Sequence, residues 1–160
     1  MSNQNTANVI LDSCRYIFLS KLENDASFIL TIHISEGRIQ EESGVGAIES
    51  NNLGSILEKA HPVKIRKGYN AFKIVFKDYT SFAVRNESYI TSENDEDYSS
   101  RLRVHQHSNF LNFISESTWL SSVDLESLIH YTVVCSDHII DIATSSEPVI
   151  EHYLLDVDAQ

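Results

Sequence analysis

Residues 129–143 read IHYTVVCSDHIIDIA. Two apolar-rich runs flank the polar pair Ser136-Asp137. Short polar side chains of this kind bond their own backbone and favour a tight turn. A turn at that pair places Cys135 opposite His138, Val133 opposite Ile140 and Tyr131 opposite Ile142. The other face then pairs Val134 with Ile139, Thr132 with Asp141 and His130 with Ala143. Side chains alternate across a strand, so a slip of one residue would mix the two sets. One face is apolar and the other mixed, the pattern of an antiparallel sheet covered on one side. The segment predicts a hairpin, and with it a sheet assembled from hairpins.

The same alternation recurs upstream. In residues 26–34, Phe28, Leu30, Ile32 and Ile34 alternate with Ser27, Thr31 and His33. Asn24-Asp25 supplies a turn before this strand, so a hairpin is expected there, although Ile10, Leu11, Cys14, Phe18 and Leu22 also fit a helical stripe. Residues 71–76 and 80–85 predict another hairpin across Lys77-Asp78-Tyr79, with Phe72 opposite Val84, Ile74 opposite Phe82 and Phe76 opposite Thr80. Residues 101–106 and 149–155 read as further strands. The last begins at Pro148, where a missing N–H does little harm.

Short helices are expected over 7–14, 51–59 and 121–128, with another following Ser108. The second must stop before His61, which precedes Pro62. Ser108 can cap a helix whose buried stripe is Phe110, Leu111, Phe113 and Ile114. Ser121 and Asp124 stand at capping-box spacing. Residues 35–54 and 92–100 read as surface excursions, and residues 1–6 as a frayed end. The expected fold is α+β, mainly antiparallel sheet from hairpins, with two to four short helices on one face. Its 160 residues suit one domain over 1–160.

Composition narrows the function. Hydrophobic residues are 42%, enough for a core without staples, and the two cysteines, Cys14 and Cys135, read as reduced thiols. No secretory leader or membrane-length apolar run is visible, so a cytoplasmic setting is expected. Net charge is −11. Every Lys and Arg lies between Arg15 and Arg103, while Glu116, Asp124, Glu126, Asp137, Asp141, Glu147, Glu151, Asp156 and Asp158 follow with no cation among them. Lys59, Lys64, Arg66, Lys67, Lys73 and Lys77 form a basic strip with Tyr69, Phe72 and Phe76 nearby. The hairpin register assigns Phe72 and Phe76 to the core, and the net charge opposes phosphate, so nucleic-acid binding is not expected.

Chemical motifs are sparse. His105 and His107 form H-x-H, and on one strand both would share a face as metal ligands. His130, His138 or Asp141 are candidates for a third ligand by type alone. The two cysteines lack C-x-x-C spacing, so no structural zinc site is expected. Cys135 with His138 could make a nucleophile and base, but Asp137 and Asp141 nearby disfavour a thiolate. Asp137 with Asp141, and Glu147 with Glu151, have nothing in sequence to divide acid from base. Gly44-Val45-Gly46 is too short for a phosphate cradle. No serine-hydrolase elbow, nucleotide loop or zinc-protease motif occurs. No cofactor is expected.

The reading is a non-catalytic acidic binding domain for a basic protein. An immunity-type inhibitor of a basic toxin is one concrete form. The expected contact acids are Asp124, Glu126, Asp137, Asp141, Glu147 and Glu151. The alternative is a metal-assisted enzyme centred on His105 and His107. The segment H-Y-x-V-x-C-x-D-x-I-I-D, from His130 to Asp141, resembles small uncharacterised bacterial proteins, and the Val84-Arg85-Asn86-Glu87-Ser88-Tyr89 stretch adds to the likeness. The resemblance covers about a quarter of the chain and implies a bacterial setting and no activity.

Overall fold

The computed structural model describes residues 2–39, 62–89 and 100–157. The helix expected over 51–59, Gly44 and Gly46, Lys59 and residues 92–99 lie outside the described residues. In chain order the elements are α1 (Ser2–Ser13), β1 (Tyr16–Asn24), β2 (Leu30–Ile39), β3 (Val63–Lys64), β4 (Asn70–Phe76), β5 (Tyr79–Asn86), a 3-10 turn (Glu87–Tyr89), β6 (Leu102–His105), α2 (Asn109–Ser117), α3 (Ser122–Ser127), β7 (Ile129–Val134), β8 (His138–Thr144) and β9 (Val149–Leu154). The class is α+β, and every strand pairing is antiparallel. The helix α1 takes in residues 2–6, and Gln4 Nε2 donates to the Pro148 carbonyl at 2.6 Å.

β7 and β8 pair in the register set by the Ser136-Asp137 turn, with Thr132 opposite Asp141 and Val133 opposite Ile140. β6 joins β7, and β5 joins β8, giving the order β5-β8-β7-β6. The other sheet runs β1-β2-β4-β9, with β3 paired to the end of β2. The sheets face each other across one core. Ile32, Ile34, Phe72, Ile74 and Phe76 come from the first, and Tyr131, Val133, Ile140 and Ile142 from the second. Burying each large apolar side chain contributes roughly 1.5–3 kcal/mol. The Ser136-Asp137 turn also binds β1: Ser136 N donates to the Ile17 carbonyl at 2.7 Å, and Leu19 N donates to Asp137 Oδ1 at 3.2 Å.

Three expectations are corrected. First, β4 and β5 are not a hairpin. β4 pairs with β2 and β9, while β5 crosses to the other sheet and pairs with β8. The crossing is a sharp corner at Lys77 and Asp78, where Asp78 takes φ 53°. Thr144 Oγ1 and Ser146 Oγ donate to the Lys77 carbonyl at 3.0 and 2.7 Å and hold it. Alternation shows which side chains share a face, and a tight corner between sheets preserves it as well as a hairpin turn does.

Second, β2 starts at Leu30 and not at residue 26. Asp25 Oδ1 accepts from Ser27 N and Ile29 N at 2.8 and 3.1 Å, which holds those residues in the turn and leaves Phe28 exposed at φ 56°. Third, β2 continues to Ile39, through a stretch expected on the surface. Ser35 and Glu36 are buried there. Gly37 is required by close packing, because a Cβ would lie 2.6 Å from both Phe18 Cε2 and Val63 Cγ1.

Candidate functional site

The face of β7–β8 that reads as mixed is buried, not solvated. His130, Thr132 and Asp141 project from it, and Ser108, the cap of α2, closes over it. The expectation of a sheet covered on one side is therefore corrected. α2 and α3 cover the outer face of the second sheet, where Ile114, Leu128 and Ala143 pack with Phe110, Leu111, Leu120 and Leu125.

Asp141 is 1% exposed. Its Oδ2 accepts from Arg85 Nε at 2.6 Å, and its Oδ1 accepts from the second guanidinium nitrogen at 2.9 Å. Thr132 Oγ1 donates to Oδ1 at 3.3 Å, and His130 Nε2 lies 3.0 Å from it. Burial alone would raise the Asp141 carboxyl. The hydrogen bonds from His130 and Arg85, with the Arg85 charge, outweigh burial and hold it below the ordinary carboxylate range. An ionised Asp141 only accepts, so His130 Nε2 carries the proton in that bond, and Nδ1 lies 2.9 Å from Ser108 Oγ. His105 stacks on His130 with ring centroids 4.7 Å apart, and its Nε2 is 3.2 Å from Thr132 Oγ1. The Phe110 ring lies tilted against that of His130, with centroids 5.1 Å apart.

The order serine, histidine, carboxylate is that of a nucleophilic triad in residue type. The roles differ. Ser108 Oγ accepts from Leu111 N at 3.1 Å as the cap of α2, and Ser108 is 7% exposed. Asp141 is closed by a bidentate arginine. What this seam does is tie α2 to β7 and β8. Glu36 repeats the pattern in the other sheet. It is buried, accepts from Arg38 at 2.9 Å and from Asn70 Nδ2 at 2.8 Å, and is held below its ordinary range by those bonds against burial.

The other sequence candidates are placed as follows. β6 ends at His105, so strand alternation does not extend to His107, and the H-x-H pair does not share a strand face. His107 instead lines a cavity of about 360 Å³ with Ser108, Asn112 and Glu126. Among the described residues, no group of three His, Cys, Asp or Glu is placed to hold a metal ion. Cys135 is buried, and burial first, then the Asp137 charge, pushes its thiol up to about 12. His138 Nδ1 lies 3.0 Å from Asp137 Oδ2 but outside hydrogen-bond alignment. Asp141 is internal and is removed from the set of contact acids. Glu151 Oε2 lies 3.5 Å from Lys73 Nζ. Asp124, Glu126 and Glu147 are exposed.

On the exterior, one residue has no place in the sequence reading and one expectation is corrected. Trp119 is fully exposed, and Phe113, expected in the buried stripe of α2, is 59% exposed. Thr118 ends α2 by donating its N–H and Oγ1 to the Ile114 carbonyl at 3.0 and 2.7 Å. Leu120 packs into the cluster beneath, so the connection bearing Trp119 is anchored on its inner side. Ser121 then caps α3 through a capping box with Asp124. The available signal was position: a tryptophan between two helix caps belongs to neither helical stripe. Glu116, Asp124 and Glu126 are exposed on the same stretch.

No described helix is long and apolar enough to cross a membrane. Comparison of the chain with protein-family models, curated proteins and solved structures finds no match.

Proposed function

We propose that this chain is an acidic binding domain whose partner is a basic protein, with inhibition of a cationic bacterial toxin as the concrete form. One observation carries the reading: buried acids are matched by arginine, while exposed acids after residue 103 are not. Glu36 and Asp141 are buried, and each is paired with a half-exposed arginine, Arg38 and Arg85. Glu116, Asp124, Glu126 and Glu147 stand on the exterior of a stretch without a single Lys or Arg. Uncompensated charge of one sign steers a partner of the other and raises the association rate more than the affinity. The buried His130 supports the same reading, because it is engaged with the cap and first turn of α2.

The test is a binding screen. The immobilised chain is presented with cationic and neutral globular proteins of matched size at low and high ionic strength. Selective capture of a cationic protein, with an association rate that falls as salt rises, is expected. Salt-independent binding, or a preference for neutral proteins, would remove the charge argument.

A further inference from the structure

We infer that the outer surface of α2–α3 is the docking face, and that it takes an arginine-presenting patch of the partner, with Trp119 as the stacking anchor. The inference rests on the reading just given and adds to it the surface and the partner group. A fully exposed Trp contributes no packing to its own fold, yet the residues on either side of it are fixed: Thr118 by the Ile114 carbonyl and Leu120 by the cluster with Ile114, Leu128 and Ala143. The indole therefore sits on an anchored support. Phe113 adds a second exposed ring on the same segment. Three residues on from it in α2, Glu116 falls on the neighbouring helix surface, and Asp124 and Glu126 follow on α3. Tryptophan and arginine are the residues that most often dominate binding energy.

The chemistry selects guanidinium over ammonium. A guanidinium is planar, weakly hydrated and able to stack on an aromatic face while its edge donates to a carboxylate. An ammonium pairs with the carboxylates as a point charge and keeps its water more tightly. A face that offered only acids would treat the two alike. α2, α3 and the connection between them offer exposed rings among acids, and this stretch of sequence carries no Lys or Arg.

Trp119 is the chain's single tryptophan, so its emission reports on this surface alone. The probes are an oligo-arginine and an oligo-lysine peptide of equal length and charge, titrated into the full chain at fixed ionic strength. Trp119 emission is expected to change saturably with the arginine peptide at a several-fold lower concentration than with the lysine peptide. In anisotropy with labelled peptides, Trp119→Ala is expected to weaken the arginine peptide about thirtyfold, at the lower bound for a hot-spot residue, and the lysine peptide little. Asp124→Asn with Glu126→Gln should weaken both, and unchanged thermal unfolding of Trp119→Ala shows that its fold is intact. Equal affinity for the two peptides, unchanged by Trp119→Ala, would overturn the anchor and leave the acidic binding reading standing. Binding of neither peptide, with that ionic strength set low, would overturn both.

Discussion

The seam beneath α2 and the surface above it hold the same kinds of residue and differ in what surrounds them. Beneath, Asp141 is closed by Arg85, His130 and Thr132, with the His105 ring stacked on His130 and the Phe110 ring tilted against it. Above, Glu116, Asp124 and Glu126 are open to solvent beside an exposed Trp119 and Phe113. A buried charge must be matched or it unfolds the protein, so its partners lie in its own chain. An exposed charge carries no such demand. The difference shows that this protein's acids have two occupations, and that burial, not position in sequence, assigns them.

The largest contrast is in stability. Asp141→Ala removes the acceptor of Arg85, His130 and Thr132 and is expected to destabilise the fold by ~1.5–3 kcal/mol in denaturant unfolding, the range for losing hydrogen bonds to a buried charged group. Glu126→Gln, one surface away, should stay within about 0.5 kcal/mol of the parent. Equal effects at the two positions would erase the distinction.

Acid unfolding probes the same contrast. Asp141 and Glu36 are held below their ordinary values of 3.8 and 4.5. The stability each contributes is fully present above those values and is lost as pH falls beneath them, because the unfolded chain takes up the proton first. Asp141→Asn should flatten the acid limb of the stability curve, whereas Glu126→Gln should leave its shape unchanged.

Smaller effects follow at the helix ends. Ser108→Ala removes both the cap of α2 and the partner of His130 Nδ1. A loss of ~1–2 kcal/mol is expected, together with faster amide exchange in α2. Ser121→Ala breaks the capping box of α3 alone and should cost ~1 kcal/mol. Trp119→Ala closes the series, with unfolding unchanged to about 0.5 kcal/mol and its effect confined to binding.

Much of the fold was legible in sequence, for local reasons. The β7–β8 register followed from a short turn and a strict period, both contained in adjacent residues. The caps Ser108 and Ser121 were legible for the same reason. The pairing of β4 and β5 was misread, because the corner at Asp78 and a hairpin turn leave one and the same alternation behind. The candidate site was less legible. His130, Thr132 and Asp141 looked like a wet face because nothing beside them in sequence reveals that Ser108 and Phe110, some twenty positions away, lie over them. Phe113 was assigned inward since a helical stripe has no sharp edge, and the structure turns Ile114 in and Phe113 out. Lys73, Asp137 and Glu151 show the same limit, being drawn into contacts that only the tertiary fold creates.

Hydrogen exchange of the chain, alone and saturated with a basic protein captured in the screen, tests the central claim most directly. Slower exchange over residues 109–127, with the first sheet unaffected, is the predicted footprint. Protection confined to β1, β2, β4 and β9, with residues 109–127 unchanged, would contradict it.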